Sequence, residues 1–327
     1  MTILGGNNLD LKLDDDRDGQ RAGLEAETLA PPTWARQLVT GARRPIYADC
    51  SSGLESSVTS GPRGTLVSVR LRDAASAPAD VLEARTVETY QLIRAAVASS
   101  ENRWPVRVWN FIPHIHQPLD AERDRYMVFN TGRFKAYCDW FGGRENFPGR
   151  VPTASGVGHR GTDLAIHCLA VDRPGTSIEN PRQVPAFGYS RRYGPQPPCF
   201  ARGTLLPTGA DRSHALLIGG TASIRGEQSM YVESLEQQTD ETLANLASLI
   251  RAAAEQAGTT LAEDDESALA TMRSMRVYHP RESDRDWIAS TVSRRFPNAA
   301  VAAEIEFHRA DLCRAELLIE IEGVARF

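Results

Sequence analysis

The predicted secondary structure runs through the same order of elements twice. In the first half, hydrophobic periodicity predicts a strand at residues 66–71, a helix at 82–99, a strand at 106–112, a helix at 120–140 and a strand at 164–171. In the second half it predicts a helix at 235–257, a strand at 272–278, a helix at 283–295 and strands at 301–307 and 317–324. Pro113 and Pro280 end corresponding strands, because proline cannot donate a ladder hydrogen bond. We therefore predict an α+β fold of two related units, each a mixed sheet with helices packed on one face.

Shorter patterns add detail to this repeat. The segment TASG at 153–156 is echoed by TAS at 221–223. One face of the helix at 235–257 is predicted to be buried, and it carries Leu243, Leu246, Leu249 and Ile250. In the helix at 283–295, Ser283 is the predicted N-cap, and Trp287 and Ile288 are predicted to face inward.

The composition divides the chain into three parts. Residues 1–30 are rich in Gly, Asp and Arg without periodicity, which is typical of a flexible arm. Residues 31–173 form the first unit, and residues 174–327 hold a proline-rich stretch at 174–207 followed by the second unit. Proline excludes a regular helix and a central strand from that stretch, and its length indicates a functional loop region.

The overall charge and the apolar runs exclude several classes of protein. The net charge is −5, whereas nucleic-acid binding needs a basic field, so no nucleic-acid partner is predicted. No apolar run reaches the ~20 residues of a membrane span, and the polar N-terminus is not a signal peptide, so we expect a cytoplasmic protein. Of the 37 basic residues 35 are arginines, which a GC-rich genome explains as readily as anion binding does. Five scattered cysteines without a C-x-x-C pair predict free thiols and no zinc site.

Two glutamates in the last predicted strand are candidates for acid catalysis. Glu320 and Glu322 lie two residues apart and therefore face the same side of the sheet, opposite Ile319 and Ile321. On an apolar face the charged form is disfavoured, so the pKa rises and the carboxyl becomes useful as a general acid. The alternative is that both glutamates lie on a solvated face.

Other candidate residues each have a structural alternative. Cys313 sits in the turn before the last strand, where it lines the same pocket or serves only as a small packing residue. Ring nitrogens of His114, His116 and His159 are a possible metal set, but the spacing fits no known pattern, so no metal is predicted. The phosphate-binding glycine motifs are absent, so no nucleotide cofactor is predicted either. Arginines on the proline-rich stretch suit a carboxylate clamp or a plain surface loop; they are Arg191, Arg192 and Arg202.

Several segments resemble known families. Residues 235–324 resemble the Rid family (reactive-intermediate deaminases), through Gln238, Thr239, Asn245 and the closing segment EIEGVA. The arginine with which that family binds a substrate carboxylate has no counterpart before Cys313. Four segments, FNTGRF at 129–134, RRYGPQPPCFARGT at 191–204, GGTASIRGE at 219–227 and DLCRAELLIEIEGVA at 311–325, together resemble the chorismatases, which fuse a Rid-like fold to a related N-terminal half.

The chorismatase resemblance implies an enzyme that converts chorismate to 3-hydroxybenzoate and pyruvate without a cofactor. It implies that Glu320 is the catalytic glutamate, that Cys313 takes part in the reaction, and that Arg202, Arg133 and Tyr193 lie near the ligand carboxylates. Gly226 and Cys313 match the two pocket positions that distinguish product subtypes, and this pair resembles the 3-hydroxybenzoate-forming subtype. Thr221 and Ser223, in the third segment, are further predicted substrate contacts.

Three functions therefore remain open at this point. The first is the 3-hydroxybenzoate-forming enzyme. The second is a chorismatase that releases a dihydrodiol or 4-hydroxybenzoate, and the third is a non-catalytic Rid-like binder of small molecules. The fused double unit suits a monomer or a trimer, and the sequence does not decide between these two assemblies.

Overall fold

Two six-stranded mixed sheets with the same strand order form the framework of the protein. The computed structural model describes residues 29–49, 51–208, 213–296 and 305–327. The arm predicted at 1–30 lies outside the described residues except for its last two positions, and residues 301–304 of a predicted strand lie outside them too. Residues 31–327 make up one compact unit that holds both sheets.

The first sheet is built from the N-terminal part of the chain. Its strands are β1 (Arg44–Asp49), β2 (Leu54–Gly61), β3 (Gly64–Leu71), β4 (Trp104–Pro113), β5 (Thr153–His159) and β6 (Leu164–Val171). A short helix, α1 (Thr33–Leu38), precedes it, and α2 (Ala79–Ala98) and α3 (Arg125–Phe141) pack on it. The strand order is β1-β2-β3-β6-β4-β5, with β4 and β5 parallel and the other pairs antiparallel.

The second sheet uses the C-terminal part. Its strands are β7 (Thr176–Ile178), β8 (Gly203–Pro207), β9 (His214–Ala222), β12 (Met272–His279), β13 (Ile305–Arg309) and β14 (Glu320–Arg326). A small hairpin of β10 (Ile224–Arg225) and β11 (Gln228–Ser229) stands apart. The helices are α4 (Leu235–Gln256), α5 (Asp265–Leu269) and α6 (Arg285–Arg295). No helix in the described part of the chain is long and apolar enough to cross a membrane.

The strand order confirms the predicted α+β repeat. The second sheet runs β7-β8-β9-β14-β12-β13, which matches the first sheet strand for strand, and it ends in the same way on a parallel pair, β12 and β13. Each sheet has its own apolar core under its own helices. The echo between 153–156 and 221–223 is not part of this repeat, because the first segment lies in β5 and the second spans the end of β9, whose counterpart is β3.

Helix boundaries differ from the prediction where side chains bond to the backbone. Helix α3 begins at Arg125 because the Asp124 carboxylate accepts a hydrogen bond from the Met127 backbone at 2.8 Å and so caps the helix. Ser283 does not cap α6, which begins at Arg285 after a short 3-10 turn. Trp287 was expected inside but is 39% exposed, whereas Ile288 is fully buried. The buried stripe of α6 is narrow, since it contains only Ile288 and Val292.

The last strand is also shorter than predicted. It begins at Glu320, although Leu317, Leu318 and Ile319 are buried. The side chain of Gln238 on α4 forms hydrogen bonds to the backbone of the segment just before β14. Its oxygen accepts from Leu318 N at 2.8 Å, and its nitrogen donates to Glu316 O at 2.9 Å. These bonds to a side chain replace the strand pairing expected here.

The proline-rich stretch is an ordered wall that includes a non-edge strand. It contains the edge strand β7 and two 3-10 turns, Ala186–Gly188 and Arg191–Tyr193. Its last five residues form β8, which is flanked by β7 and β9, so the expectation that no central strand forms here is wrong. Proline is tolerated because Pro207 is the final residue of β8.

The two sheets meet on the faces that their helices leave free. The Thr153 hydroxyl on β5 and the Thr204 hydroxyl on β8 share a 2.7 Å hydrogen bond, and Thr204 also donates to Val106 O on β4 at 3.1 Å. Backbone bonds join Gly158 to Asp311 nearby. The strand faces that meet here carry the side chains of the candidate site.

Candidate active site

A cavity of about 390 Å³ lies between the two sheets. Helix α3, strands β5, β9 and β14, the proline-rich wall and the turn at 313–316 all contribute to its lining. Five residues that the chorismatase resemblance implied line it together: Glu320, Cys313, Arg202, Arg133 and Tyr193. Of the two other arginines considered for a carboxylate clamp, Arg192 lines the cavity and Arg191 does not. The cavity therefore joins residues that lie almost 190 positions apart along the chain, between Arg133 and Glu320.

Glu320 presents a buried carboxyl to this cavity. It is 3% exposed, and its carboxyl makes no hydrogen bond or ion pair with any described residue. Burial raises the pKa of Glu320 to about 8, with a further contribution from the negative charge of Glu322. Its carboxyl is therefore mostly protonated at neutral pH and is available as an acid.

A glycine makes room for the Glu320 carboxyl. Gly220 on β9 lies beside it, and a Cβ at position 220 would sit 2.0 Å from Oε1 of Glu320. The adjoining strand pairs Ala222 with Glu320, so the carboxyl lies across the end of β9. A side chain at position 220 would occupy the space that the carboxyl now fills.

The Gly220→Ala variant tests this steric requirement. We expect the folded variant to lose about 10-fold or more in turnover, because the added methyl group displaces the acid from its position and misplacement of a reacting group by about 1 Å is costly. Steady-state kinetics against Gly188→Ala, an exposed change outside the cavity lining whose Cβ would meet only Val184 at 3.6 Å, checks the result. Equal turnover in the two variants and the wild type would contradict the close contact.

Two arginines in the cavity wall are buried without a carboxylate partner. Arg133 on α3 is 1% exposed and donates to Asn130 Oδ1 at 2.7 Å, and Arg202 is 5% exposed and donates to the Tyr189 hydroxyl at 2.6 Å. Neither forms an ion pair with a described residue, and Nε of each is buried without a hydrogen-bond partner. A buried cation of this kind is costly unless a counter-charge arrives, so both positions favour an anionic ligand.

Glu179 is an acidic residue whose charge interacts with that of Arg202, and it is only partly ionised at neutral pH. Burial raises the pKa of Glu179 to about 7, although the charge of Arg202 opposes the shift. Glu179 does not line the cavity and makes no ion pair with Arg202. The guanidinium of Arg202 therefore keeps most of its capacity for a ligand carboxylate.

Aromatic residues form the remaining side of the cavity. Tyr189 and Tyr193 lie on the proline-rich wall with ring centroids 5.4 Å apart, and the Arg314 guanidinium stacks 3.8 Å from the Tyr193 ring centre. The Glu227 carboxylate tethers the wall by accepting from the Ser190 backbone at 2.8 Å and from its hydroxyl at 2.7 Å. These contacts hold the wall as a rigid face against which a flat ring can pack.

Cys313 lines the cavity as a neutral thiol. Burial raises the pKa of Cys313 to about 12, and the nearby Glu320 carboxyl adds to the shift. A thiol with this pKa is protonated at neutral pH and is a poor nucleophile. The geometry therefore favours Cys313 as a space-filling group in the cavity.

Three predicted residues are not part of the cavity lining. Thr221 pairs with Ile321, whose side chain belongs to the core under the helices, so Thr221 faces away from the cavity. The Ser223 hydroxyl donates to Met230 O at 2.9 Å. Gly226 lies in the turn of the β10–β11 hairpin with a φ of 59°, and its backbone bonds to Arg182 and Val184.

The three histidines do not converge. His116 lines the cavity, whereas His114 lies in a turn and donates its backbone N–H to His159 O at 2.9 Å. Both ring nitrogens of His159 are occupied, by Asp163 O and by the Gly161 N–H. Among the described residues no group of three or more potential ligands is arranged to hold a metal ion.

Sequence reasoning missed several residues that shape the site. Tyr126 and Ser155 line the cavity, and Arg107 and Trp109 lie behind it. Ser155 belongs to the TASG segment at 153–156, whose only signal in the sequence is its similarity to residues 221–223. Arg107 alternates with apolar neighbours in a predicted strand, which was a signal that the sequence did contain.

Comparison with known proteins supplies a family for this arrangement. A family model described as "Chorismatase FkbO/Hyg5-like, N-terminal" matches residues 50–170. A 3-hydroxybenzoate synthase from Streptomyces hygroscopicus is 35% identical over 224 residues, which are 67% of this chain and 62% of that protein. A chorismatase from Streptomyces rapamycinicus is 32% identical over 222 residues, which are 67% of this chain and 63% of that protein. The matched region thus spans a little under two thirds of the length of these relatives.

A solved structure agrees with these relatives. A crystal structure of a chorismatase superposes with a TM-score of 0.71 at 25% identity, covering 86% of this chain and 80% of that chain. The similarity therefore includes both sheets and not only the segment that the family model matches. The chain belongs to the chorismatase family.

Proposed function

We propose that this protein converts chorismate to 3-hydroxybenzoate and pyruvate. One observation carries the proposal: a single cavity holds two buried guanidinium groups that form no ion pair with a described residue, Arg133 and Arg202, together with a protonated carboxyl, Glu320. The relative that is 35% identical is named a 3-hydroxybenzoate synthase, which supports this product over others.

The charges in the cavity suit the substrate. Chorismate carries two carboxylates and an enolpyruvyl ether on a cyclohexadiene ring. Arg133 and Arg202 would each take one carboxylate, because an arginine fork matches the geometry of a carboxylate and a buried pair of this kind is strong. The ring would lie against Tyr193 and its neighbours on the proline-rich wall.

The reaction begins with proton transfer from Glu320. Its carboxyl protonates the terminal vinyl carbon of the enolpyruvyl group, which creates an oxocarbenium-like centre. The carboxylate left on Glu320 then stabilises the positive charge that it produced. This step requires a carboxyl that stays protonated near neutral pH, as the burial of Glu320 provides.

An internal displacement then completes the reaction. The ring hydroxyl attacks the neighbouring ring carbon and breaks its bond to the ether oxygen, which leaves as the carbonyl oxygen of pyruvate. The hydroxyl proton returns to Glu320, and the arene oxide opens to the aromatic product. Together the two products contain all the atoms of chorismate, so this route consumes no water and needs no metal or nucleotide.

The enzyme is further proposed to act in the cytoplasm and to have a complete site in each chain. The four cysteines that the structure describes are free thiols, which suits a reducing compartment. Both units contribute to the cavity, with Arg133 from the first unit and Glu320 from the second. A fused double unit is thereby able to build this cavity between units of the same chain.

Incubation with chorismate tests the proposal. Pyruvate is measured with a coupled assay while chromatography separates 3-hydroxybenzoate from the dihydrodiol and 4-hydroxybenzoate. Equal amounts of pyruvate and 3-hydroxybenzoate are expected. Binding of chorismate without release of pyruvate would contradict catalysis and leave a small-molecule binder.

A second candidate is hydrolysis of chorismate to the dihydrodiol. Polar groups of His116, Asp124 and Ser155 line part of the cavity, and such groups are able to hold a water molecule. Gly226, one of the two positions matched to the product subtype, does not line the cavity. A product mixture dominated by the dihydrodiol would favour this candidate.

The Cys313→Ala variant tests how water is kept from the ring. Removing the neutral thiol opens space beside Glu320, so we expect the dihydrodiol fraction to rise by about 10-fold, which needs a change of only about 1.4 kcal/mol between competing barriers. The product ratio is measured at matched conversion. Cys138→Ala, a change on α3 outside the cavity lining, should keep the wild-type ratio. A slower Cys313→Ala enzyme with an unchanged ratio would show that Cys313 does not steer the reaction.

A further inference from the structure

Glu322 lies in a buried cluster directly behind the cavity. It is 1% exposed, and its carboxylate accepts hydrogen bonds from three other strands. The donors are Arg107 Nη2 at 2.6 Å and Trp109 Nε1 at 2.9 Å on β4, the Ser155 hydroxyl on β5 and the Tyr278 hydroxyl at 3.2 Å on β12. The cluster therefore ties the first sheet to the second.

The donor set around Glu322 suits an ionised carboxylate. Each partner offers a hydrogen, and an ionised carboxylate accepts about four such bonds, whereas a protonated carboxyl would need an acceptor for its own hydrogen. Arg107 also supplies a full positive charge as a buried ion pair. A fixed negative charge thus sits two residues beyond Glu320.

Glu320 has the opposite surroundings on the same face of the same strand. It receives no hydrogen bond from any described residue, and its carboxyl faces the cavity. Charged or titratable groups face it from every packed element, namely Arg107 on β4, Tyr126 on α3, Arg202 before β8, Tyr278 on β12 and Cys313 before β14. Glu322, on the same strand as Glu320, adds an acidic group to this set, and hydrogen bonds hold its carboxylate.

We propose that Glu322 is a positioning residue whose buried carboxylate, held by Arg107, Trp109 and Ser155, places a negative charge beside Glu320 and keeps the proton on it. The role of Glu322 in catalysis rests on the proposed function, in which Glu320 is the general acid. Burial alone also favours the neutral form of Glu320, and Glu322 adds to that preference.

Removing the negative charge of Glu322 should lower the pKa of Glu320. In Glu322→Gln the repulsion is lost while the Arg107 cation remains, so the ionised form of Glu320 becomes favoured. The pKa of Glu320 should fall from about 8 by about 1 to 3 units, as an opposite charge close to a carboxyl produces. Because the acid must be protonated to act, the alkaline limb of the rate profile should move to lower pH by the same amount.

The experiment measures the protonation of Glu320 directly by infrared spectroscopy and then through the pH dependence of turnover. Infrared difference spectra of the full chain are recorded across pH without substrate, and the Glu320→Gln variant identifies the Glu320 band. Glu322→Gln should titrate at lower pH than wild type, whereas Glu255→Gln, an exposed change on α4, should titrate as wild type. A folded Glu322→Gln protein with an unchanged Glu320 titration would overturn the proposal.

A double variant covers the case in which Glu322→Gln does not fold. Arg107→Met combined with Glu322→Gln removes both charges, and replacing a buried ion pair in this way is often tolerated. Loss of the Arg107 cation partly offsets loss of the Glu322 charge, whose effect on the pKa of Glu320 is the larger of the two. Glu320 should therefore titrate somewhat below wild type and above the ordinary value of about 4.3, because burial still acts. A titration equal to wild type in the double variant would also overturn the proposal. Absence of pyruvate release by the wild type would defeat the proposed function alone, since the infrared titration needs no substrate.

Discussion

Replacing Glu320 with glutamine is expected to reduce pyruvate release from chorismate by about 100- to 10,000-fold, the usual contribution of a general acid. Glutamine keeps the size of the side chain and can still lie beside Gly220, but it has no proton to give to the vinyl carbon. The wild-type rate should be constant below about pH 8 and fall above it, as Glu320 loses its proton. Turnover of the variant and of the wild type is compared across this pH range.

A control separates the loss of the acid from a loss of structure. Glu255→Gln changes an exposed glutamate on α4 and should keep wild-type turnover and thermal stability. Glu320→Gln should also melt near the wild-type temperature, because a neutral side chain replaces a carboxyl that is already mostly protonated. Activity of Glu320→Gln within threefold of wild type would remove Glu320 from the mechanism.

Replacing Arg202 with alanine is expected to weaken chorismate binding by about 10- to 150-fold, the equivalent of one hydrogen-bonded charge pair of about 1.5 to 3 kcal/mol. The guanidinium has no ion pair of its own in the described structure, so no protein carboxylate loses a counter-charge, although its hydrogen bond to the Tyr189 hydroxyl is lost as well. Arg202→Lys should restore only part of the affinity, because a point charge cannot form a fork with a carboxylate. Binding is measured with an inactive Glu320→Gln background, so that chorismate is not consumed.

The arginine prediction has its own control and its own contrary outcome. Arg251 on α4 pairs with Asp265 at 2.9 Å outside the cavity, so Arg251→Ala should bind chorismate as wild type does. Full recovery of both binding and turnover by Arg202→Lys would contradict the bidentate assignment. Equal binding by Arg202→Ala and wild type would remove Arg202 from the clamp.

Periodicity predicted most of the framework because it reports local burial. The face of α4 that carries Leu243 and Leu246 is buried, and the paired strands stopped by Pro113 and Pro280 are present as β4 and β12. Strand β5 escaped prediction because Gly156 and Gly158 weaken its pattern, and one of them accommodates the Tyr126 ring at 3.4 Å from its Cβ position. Its position beside β4 depends on pairing that no local pattern reveals.

The sequence by itself determined which side chains share a face, because a strand alternates with a period of two residues. It placed Glu320 and Glu322 together opposite Ile321, and the structure agrees. Tertiary structure decided what those faces meet: Glu322 finds Arg107 from a strand more than 200 residues earlier, whereas Glu320 meets an open cavity. The lack of a carboxylate beside Arg202 likewise depends on every element packed around it. Charge, desolvation and hydrogen bonding act through space, so these properties follow from the packing of two sheets and not from spacing along the chain.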